Sequence, residues 1–148
     1  MTDVLDRAAL SGLDQLRAMV AENRQPPIGK TMDFSLIEVE EGRAVFEGNP
    51  DLRVYNPIGS VHGGYAATLL DSACGVAVHS KLAPGQAYTT LELKVSYLRG
   101  MTVDTGVVRA EGVVISMGRR VAFAEAKLTD ASGKVLATAT STLLVMSS

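Results

Sequence analysis

Apolar positions near the start of the chain recur at spacings of three and four. Val4, Leu5, Ala8, Ala9, Leu13, Leu16 and Val20 share one side of a helix predicted over residues 3–22, which Pro26-Pro27 stops. Met32 to Glu40 partly alternates, Glu41-Gly42 reads as a turn, and Arg43 to Glu47 as the returning strand of a hairpin. Asn49 through Gly59 is dense in turn residues. The pattern then changes. Gly64 to Leu82 is apolar nearly all round, predicting a second helix closed by Pro84-Gly85. Everything after it reads as strand, over 87–98, 103–116, 119–129 and 134–146, with turns at Gly100, Gly118 and Ser132-Gly133. Long strands around one nearly apolar helix imply an α+β fold in which an antiparallel sheet wraps that helix.

Composition narrows the function. The 148 residues are 47% apolar and 20% charged, enough for one domain with its own core and too aliphatic for a disordered chain. Lys plus Arg number 14 against 16 Asp plus Glu, a net charge of −2, so no concentrated positive face points to nucleic acid. One cysteine, Cys74, excludes an intrachain disulfide, and two histidines leave little for a metal site. Asp3, Asp6, Arg7, Asp14 and Arg17 interrupt any hydrophobic leader. Gly63–Ala83 is broken by Asp71, His79 and Lys81, which makes it a poor membrane span. A cytoplasmic protein is the expectation.

The second helix carries the anomaly. Within GGYAATLLDSACGVAVHS, Asp71 is the only charged residue apart from His79. Its neighbours one turn away, Ala67, Thr68, Cys74 and Gly75, are small and leave space beside the carboxylate. A lone carboxylate in an apolar helix needs partners or a task. A cap by Thr68, or exposure on the wet side, would satisfy it structurally. Just upstream, His62-Gly63-Gly64 stands where the helix begins. Glycines let a backbone approach a ligand, and free N–H groups at a helix start favour negative charge, as a developing oxyanion requires. Gly63 and Asp71 are eight residues apart, which is roughly 12 Å along one helix. If both serve one small reacting group, two subunits must supply them, with their helices antiparallel across a two-fold axis.

Asn56-Pro-Ile-Gly-Ser-Val-His62-Gly63-Gly64, then Asp71, then Thr90 to Tyr97-Leu98-Arg99, resembles the hot-dog-fold thioesterases of the phenylacetate-degradation type. The likeness runs from about Asn49 to Val145. It implies a sheet rolled around the central helix, with residues 1–26 a helical prelude to a hot-dog core over 27–148. It also implies pairing through the sheets into dimers or homotetramers. The activity implied is hydrolysis of aryl-acetyl or medium-chain acyl-coenzyme A without a metal or resident cofactor, coenzyme A being part of the substrate.

Carried over residue by residue, the Gly63 amide would polarise the thioester carbonyl, with Asn56 assisting. Asp71 of the facing subunit would act as base on water or as nucleophile. Thr90, or Thr89 beside it, would supply a helper hydroxyl. Gly64 would help shape the site, and His62, counted with the catalytic candidates, would cap the helix, orient the Asn56 loop or transfer a proton. Coenzyme A phosphates would meet Arg99 and the Ser116-Met117-Gly118-Arg119-Arg120 turn, whose arginines are otherwise ordinary turn charges. Relatives bearing Glu in place of Asp71 use a hydroxyl one helical turn later, where this chain has Gly75.

Other residues read as structural. Cys74 has no histidine placed to activate it and fits a small buried hydrophobe. Ser60 and Ser72 belong to no Ser-His-Asp arrangement. Tyr65 and Tyr88 either line an acyl pocket or simply pack. Two rivals to hydrolysis are a non-catalytic acyl-coenzyme A sensor, which would have no use for Asp71, and a hydroxyacyl dehydratase, whose histidine motif is absent.

Overall fold

A computed structural model describes residues 9–147. Ser11 accepts the Asp14 amide and starts helix α1 (Gly12–Ala21). The helix expected over 3–22 is therefore broken at Leu10-Ser11, and its part before residue 9 lies outside the described residues. Gly12 has a reason to be glycine: a Cβ there would collide with the His79 carbonyl. Its N–H donates to Leu82 O at 2.9 Å, docking α1 on the end of the central helix.

Pro27 does not only stop a helix. It opens a short one, α2 (Pro27–Met32), because its fixed φ suits a first helical position. The strand expected from Met32 thus begins two residues later. Strands β1 (Phe34–Glu40) and β2 (Arg43–Gly48) form the expected hairpin around Gly42, at φ 81°.

The central helix α3 spans Gly63–His79, followed by β3 (Gln86–Tyr97), β4 (Val108–Met117), β5 (Val121–Asp130) and β6 (Val135–Ser147). The start expected for β4 is corrected: Val103–Thr105 forms a 3-10 turn in which Thr102 and Thr105 cap each other, and Gly106 at φ 75° redirects the chain.

The six strands are antiparallel in the order β1-β2-β4-β5-β6-β3. They curl around α3, whose Leu69, Leu70, Ala73, Cys74, Ala77 and Val78 are fully buried. Burial of each leucine contributes about 1.5–3 kcal/mol. The inward face of β5 is Ala122, Ala124, Ala126 and Leu128, whereas the larger Val121 and Phe123 face outward. Small residues win the inner positions because the helix lies so close. At Gly112 of β4 a Cβ would land on the backbone of Ala73 and Cys74. Among the described residues, no helix is long and apolar enough to cross a membrane.

Candidate active site

The site begins at the first turn of α3. His62 is the N-cap, and its Nδ1 accepts the Gly64 N–H at 2.7 Å, which places the ring proton on Nε2. The Tyr65 N–H bonds to His62 O. That leaves the Gly63 N–H as a helix-start donor without a partner among the described residues, at the positive end of the helix dipole. Tyr97 of β3 lies over Gly63: its hydroxyl donates to Gly63 O at 2.6 Å, and its ring fills the space a Cβ would take.

Two turns further on, Thr90 Oγ1 donates to Asp71 Oδ1 at 2.9 Å. Asp71 is half-buried, and the same bond identifies its hydroxyl partner. Thr89 is exposed on the outer face of the sheet. Thr90 and Tyr97 are seven residues apart, so a regular strand would send them to opposite faces. A bulge at Leu91, between Thr90 and Glu92 in the pairing with β6, adds one residue and turns both toward α3. Ser141 Oγ donates to Glu92 O at 3.0 Å beside this irregularity.

One turn past Asp71, Tyr88 takes the space that Gly75 leaves open, its ring and hydroxyl resting against the position of the absent Cβ. Burial, and then the Asp71 charge, raise the Tyr88 phenol above its ordinary range. The Tyr88 ring also meets His79 at 5.5 Å between centroids, and His79 Nε2 lies 3.0 Å from Gln15 Oε1 on α1. Burial lowers the His79 pKa. Cys74 is fully buried, and burial, with help from the Asp71 and Glu125 charges, pushes its thiol up to about 12. It behaves as packing, not as a nucleophile.

The remaining candidates spread over two ends of the molecule. Asn56 spends its side chain on its own loop, with Nδ2 donating to Ser60 Oγ at 3.0 Å and Oδ1 accepting from the Ile58 and Ser60 amides. That bonding shapes the approach to His62. Arg99 follows Tyr97 at the Gly63 end, its amide bonded to Leu136 O. Ser116, Gly118 and Arg119 stand at the β4–β5 turn, at the Asp71 end, where Val121 pairs with Leu144 of β6 and Leu144 with Thr89. Arg99, Arg119 and Arg120 are exposed and form no ion pair among the described residues. The sequence alone assigns Tyr97 no role and leaves Tyr88 open between pocket lining and packing; the bulge parity and the glycine beneath each ring place them.

A model of the thioesterase superfamily matches residues 58–137, more than half of the chain and including His62 through Gly64, Asp71, Thr90 and Tyr97. The chain belongs to the thioesterase superfamily. This thioesterase is 27% identical over 116 residues to the 1,4-dihydroxy-2-naphthoyl-CoA hydrolase of Listeria monocytogenes serotype 1/2a (strain 10403S), covering 78% of this chain and 93% of that one. Human acyl-coenzyme A thioesterase 13 is 28% identical over 126 residues, with 82% and 85% covered. A solved structure from Ralstonia eutropha JMP134, of a phenylacetic acid degradation-related protein, superposes with a TM-score of 0.77 at 27% identity, over 86% of this thioesterase and 97% of that chain. The hot-dog fold and the likeness to the phenylacetate-degradation type both hold.

Proposed function

We propose that this thioesterase hydrolyses acyl-coenzyme A, aryl-acetyl or medium-chain, at sites shared between two copies of the chain. The observation that carries the reading is the placement of Gly63 and the Asp71–Thr90 pair. Both sit on the side of α3 that faces β3, eight residues apart, or about 12 Å. β3 is the last strand of the sheet, and among the described residues nothing pairs with its outer edge. A twelve-residue open edge invites a second strand.

Antiparallel pairing of two β3 strands would run the two α3 helices antiparallel. Gly63 of one copy would then face Asp71 of the other when the axis passes midway between Thr90 and Tyr97, which falls at Lys94 once the residue added by the bulge is discounted. The same rotation carries Arg99 of one copy toward Arg119 of the other. The two arginines are thereby offered to one phosphate-bearing substrate, although a single chain holds them at opposite ends.

In that site the Gly63 N–H donates to the thioester oxygen, and Asp71 takes a proton from water as the water oxygen attacks the carbonyl carbon. The tetrahedral oxyanion rests on Gly63 until the C–S bond breaks, and Asp71 returns the proton to the leaving thiolate. Thr90 holds one carboxylate oxygen in place. Direct attack by Asp71, giving a mixed anhydride and then free acid, is the variant of the same geometry. No resident cofactor enters either route. Support for coenzyme A as leaving group comes from the names of the Listeria and human relatives.

The test is thiol release from a panel of aryl and fatty acyl-coenzyme A thioesters by wild type and Asp71→Asn. Release by wild type alone is expected. Silence across the panel, with calorimetric binding retained, would turn the reading to a non-catalytic binding protein.

A further inference from the structure

We infer that Tyr97 is a positioning residue for the oxyanion amide, an inference that rests on the role proposed above for Gly63. The peptide joining Gly63 to Gly64 is fastened at both ends. Its carbonyl accepts from Tyr97 Oη at 2.6 Å, and its N–H donates to His62 Nδ1 at 2.7 Å. Gly63 lacks a side chain, so nothing beyond the helix start itself and these contacts restricts its φ and ψ. With the following peptide plane clamped, the Gly63 Cα is fixed, which holds one end of the plane that carries the Gly63 N–H. The preceding peptide is held in turn, because His62 O accepts from the Tyr65 N–H at 2.9 Å. The free donor thus belongs to one immobilised plane and is joined through the Gly63 Cα to a second.

The clamp depends on three features of the sequence acting together. Glycine at 63 admits the Tyr97 ring, since a Cβ would stand 3.1 Å from the hydroxyl and 3.2 Å from the ring carbon that bears it. The Leu91 bulge sets the face of β3 from which the ring comes. Tyr97 is 55% exposed in the single chain, so its ring contributes little to that chain's core, while its hydroxyl holds Gly63 O. An oxyanion donor is effective because it is aimed before the charge develops and need not reorganise. Freeing one end of the clamp would therefore weaken transition-state stabilisation and leave ground-state binding nearly intact.

Tyr97→Phe keeps the ring over Gly63 and removes only the hydroxyl. With the acyl-coenzyme A that wild type hydrolyses fastest, kcat should fall about tenfold, less than the roughly 10²–10³ lost with an oxyanion donor outright, while KM stays within about twofold. A spectroscopic reading separates aim from stability. The infrared carbonyl stretch of a ¹³C-labelled thioester bound to Asp71→Asn should move to lower frequency than in solution, and that displacement should shrink in Asp71→Asn/Tyr97→Phe. Unchanged kcat together with an undiminished displacement overturns the inference and leaves the proposed function standing. Failure of wild type to release thiol overturns both.

Discussion

The hydroxyl of Thr90 donates to Asp71 Oδ1 across 2.9 Å, and Oδ2 has no partner among the described residues. One oxygen is anchored, and in the proposed reaction the other takes the proton from water. Asp71→Asn should lower kcat by at least about a hundredfold. Thr90→Val should cost less, Thr90→Ser should recover much of the loss, and Thr89→Ala should match wild type because that side chain lies on the opposite face. Steady-state thiol release decides all four.

A site shared between two copies, as proposed above, makes a prediction about subunits. A chain carrying Gly63→Pro and one carrying Asp71→Ala should each be inactive, yet mixed under exchange they should regain activity, since one of the two sites in each mixed pair has both groups. An axis at Lys94 further predicts that Lys94→Cys forms an intermolecular disulfide on mild oxidation. Non-reducing gels read the second result, and the absence of a dimer band in a chain that is dimeric by sedimentation would rule out this register.

His79 predicts a pH dependence of stability. Burial lowers its pKa in the folded chain, so below the ordinary histidine range, about 6.5, the unfolded chain binds a proton that the folded chain resists. Its contribution is fully present above about pH 6.5 and is lost as the pH falls below that value. Urea midpoints compared at pH 7.5 and 5.5 should drop less in His79→Gln than in wild type.

Gly112 sets the spacing between sheet and helix. Because a Cβ there would strike the backbone of Ala73 and Cys74, Gly112→Ala should destabilise the fold by about 1–3 kcal/mol through overpacking. Urea denaturation measures it. A loss below about 0.5 kcal/mol, the size of ordinary surface changes, would mean that the helix can lift off β4 freely.

Cys74 should stay unmodified by iodoacetamide at pH 8 in the folded protein and react once the chain is unfolded in urea. Burial and its raised pKa both act against the thiolate.

Much of this could be read from the chain. The apolar run from Gly64 to Leu82 points to a helix that is nearly apolar all round, and alternation points to the strands after it. Local chemistry also placed His62-Gly63-Gly64 at a helix start and singled out Asp71. The boundaries that moved did so for local reasons with two readings each: Pro27 can end one helix or begin another, and Val103–Thr105 has strand composition but sits between a capping threonine and Gly106.

The choice between Thr89 and Thr90 was beyond the sequence, because strand parity depends on register and one inserted residue reverses it. That residue is Leu91. The bulge exists through pairing with β6, 50 residues away in the chain, and it alone brings Thr90 and Tyr97 to the same side. The inward alanines of β5 are a similar case. Hydrophobicity would bury Val121 and Phe123, but the closeness of α3 at Gly112 leaves room only for small side chains at Ala122, Ala124 and Ala126.

What the sequence determined by itself was the kind of elements, their order, and the two chemical groups, since helix periodicity, turn residues and an isolated carboxylate are local properties. Which hydroxyl meets Asp71, which ring clamps Gly63, and that both groups face one open edge of the sheet were decided only in three dimensions. Those relations are set by the register between strands and the distance between helix and sheet, which no local stretch of sequence encodes.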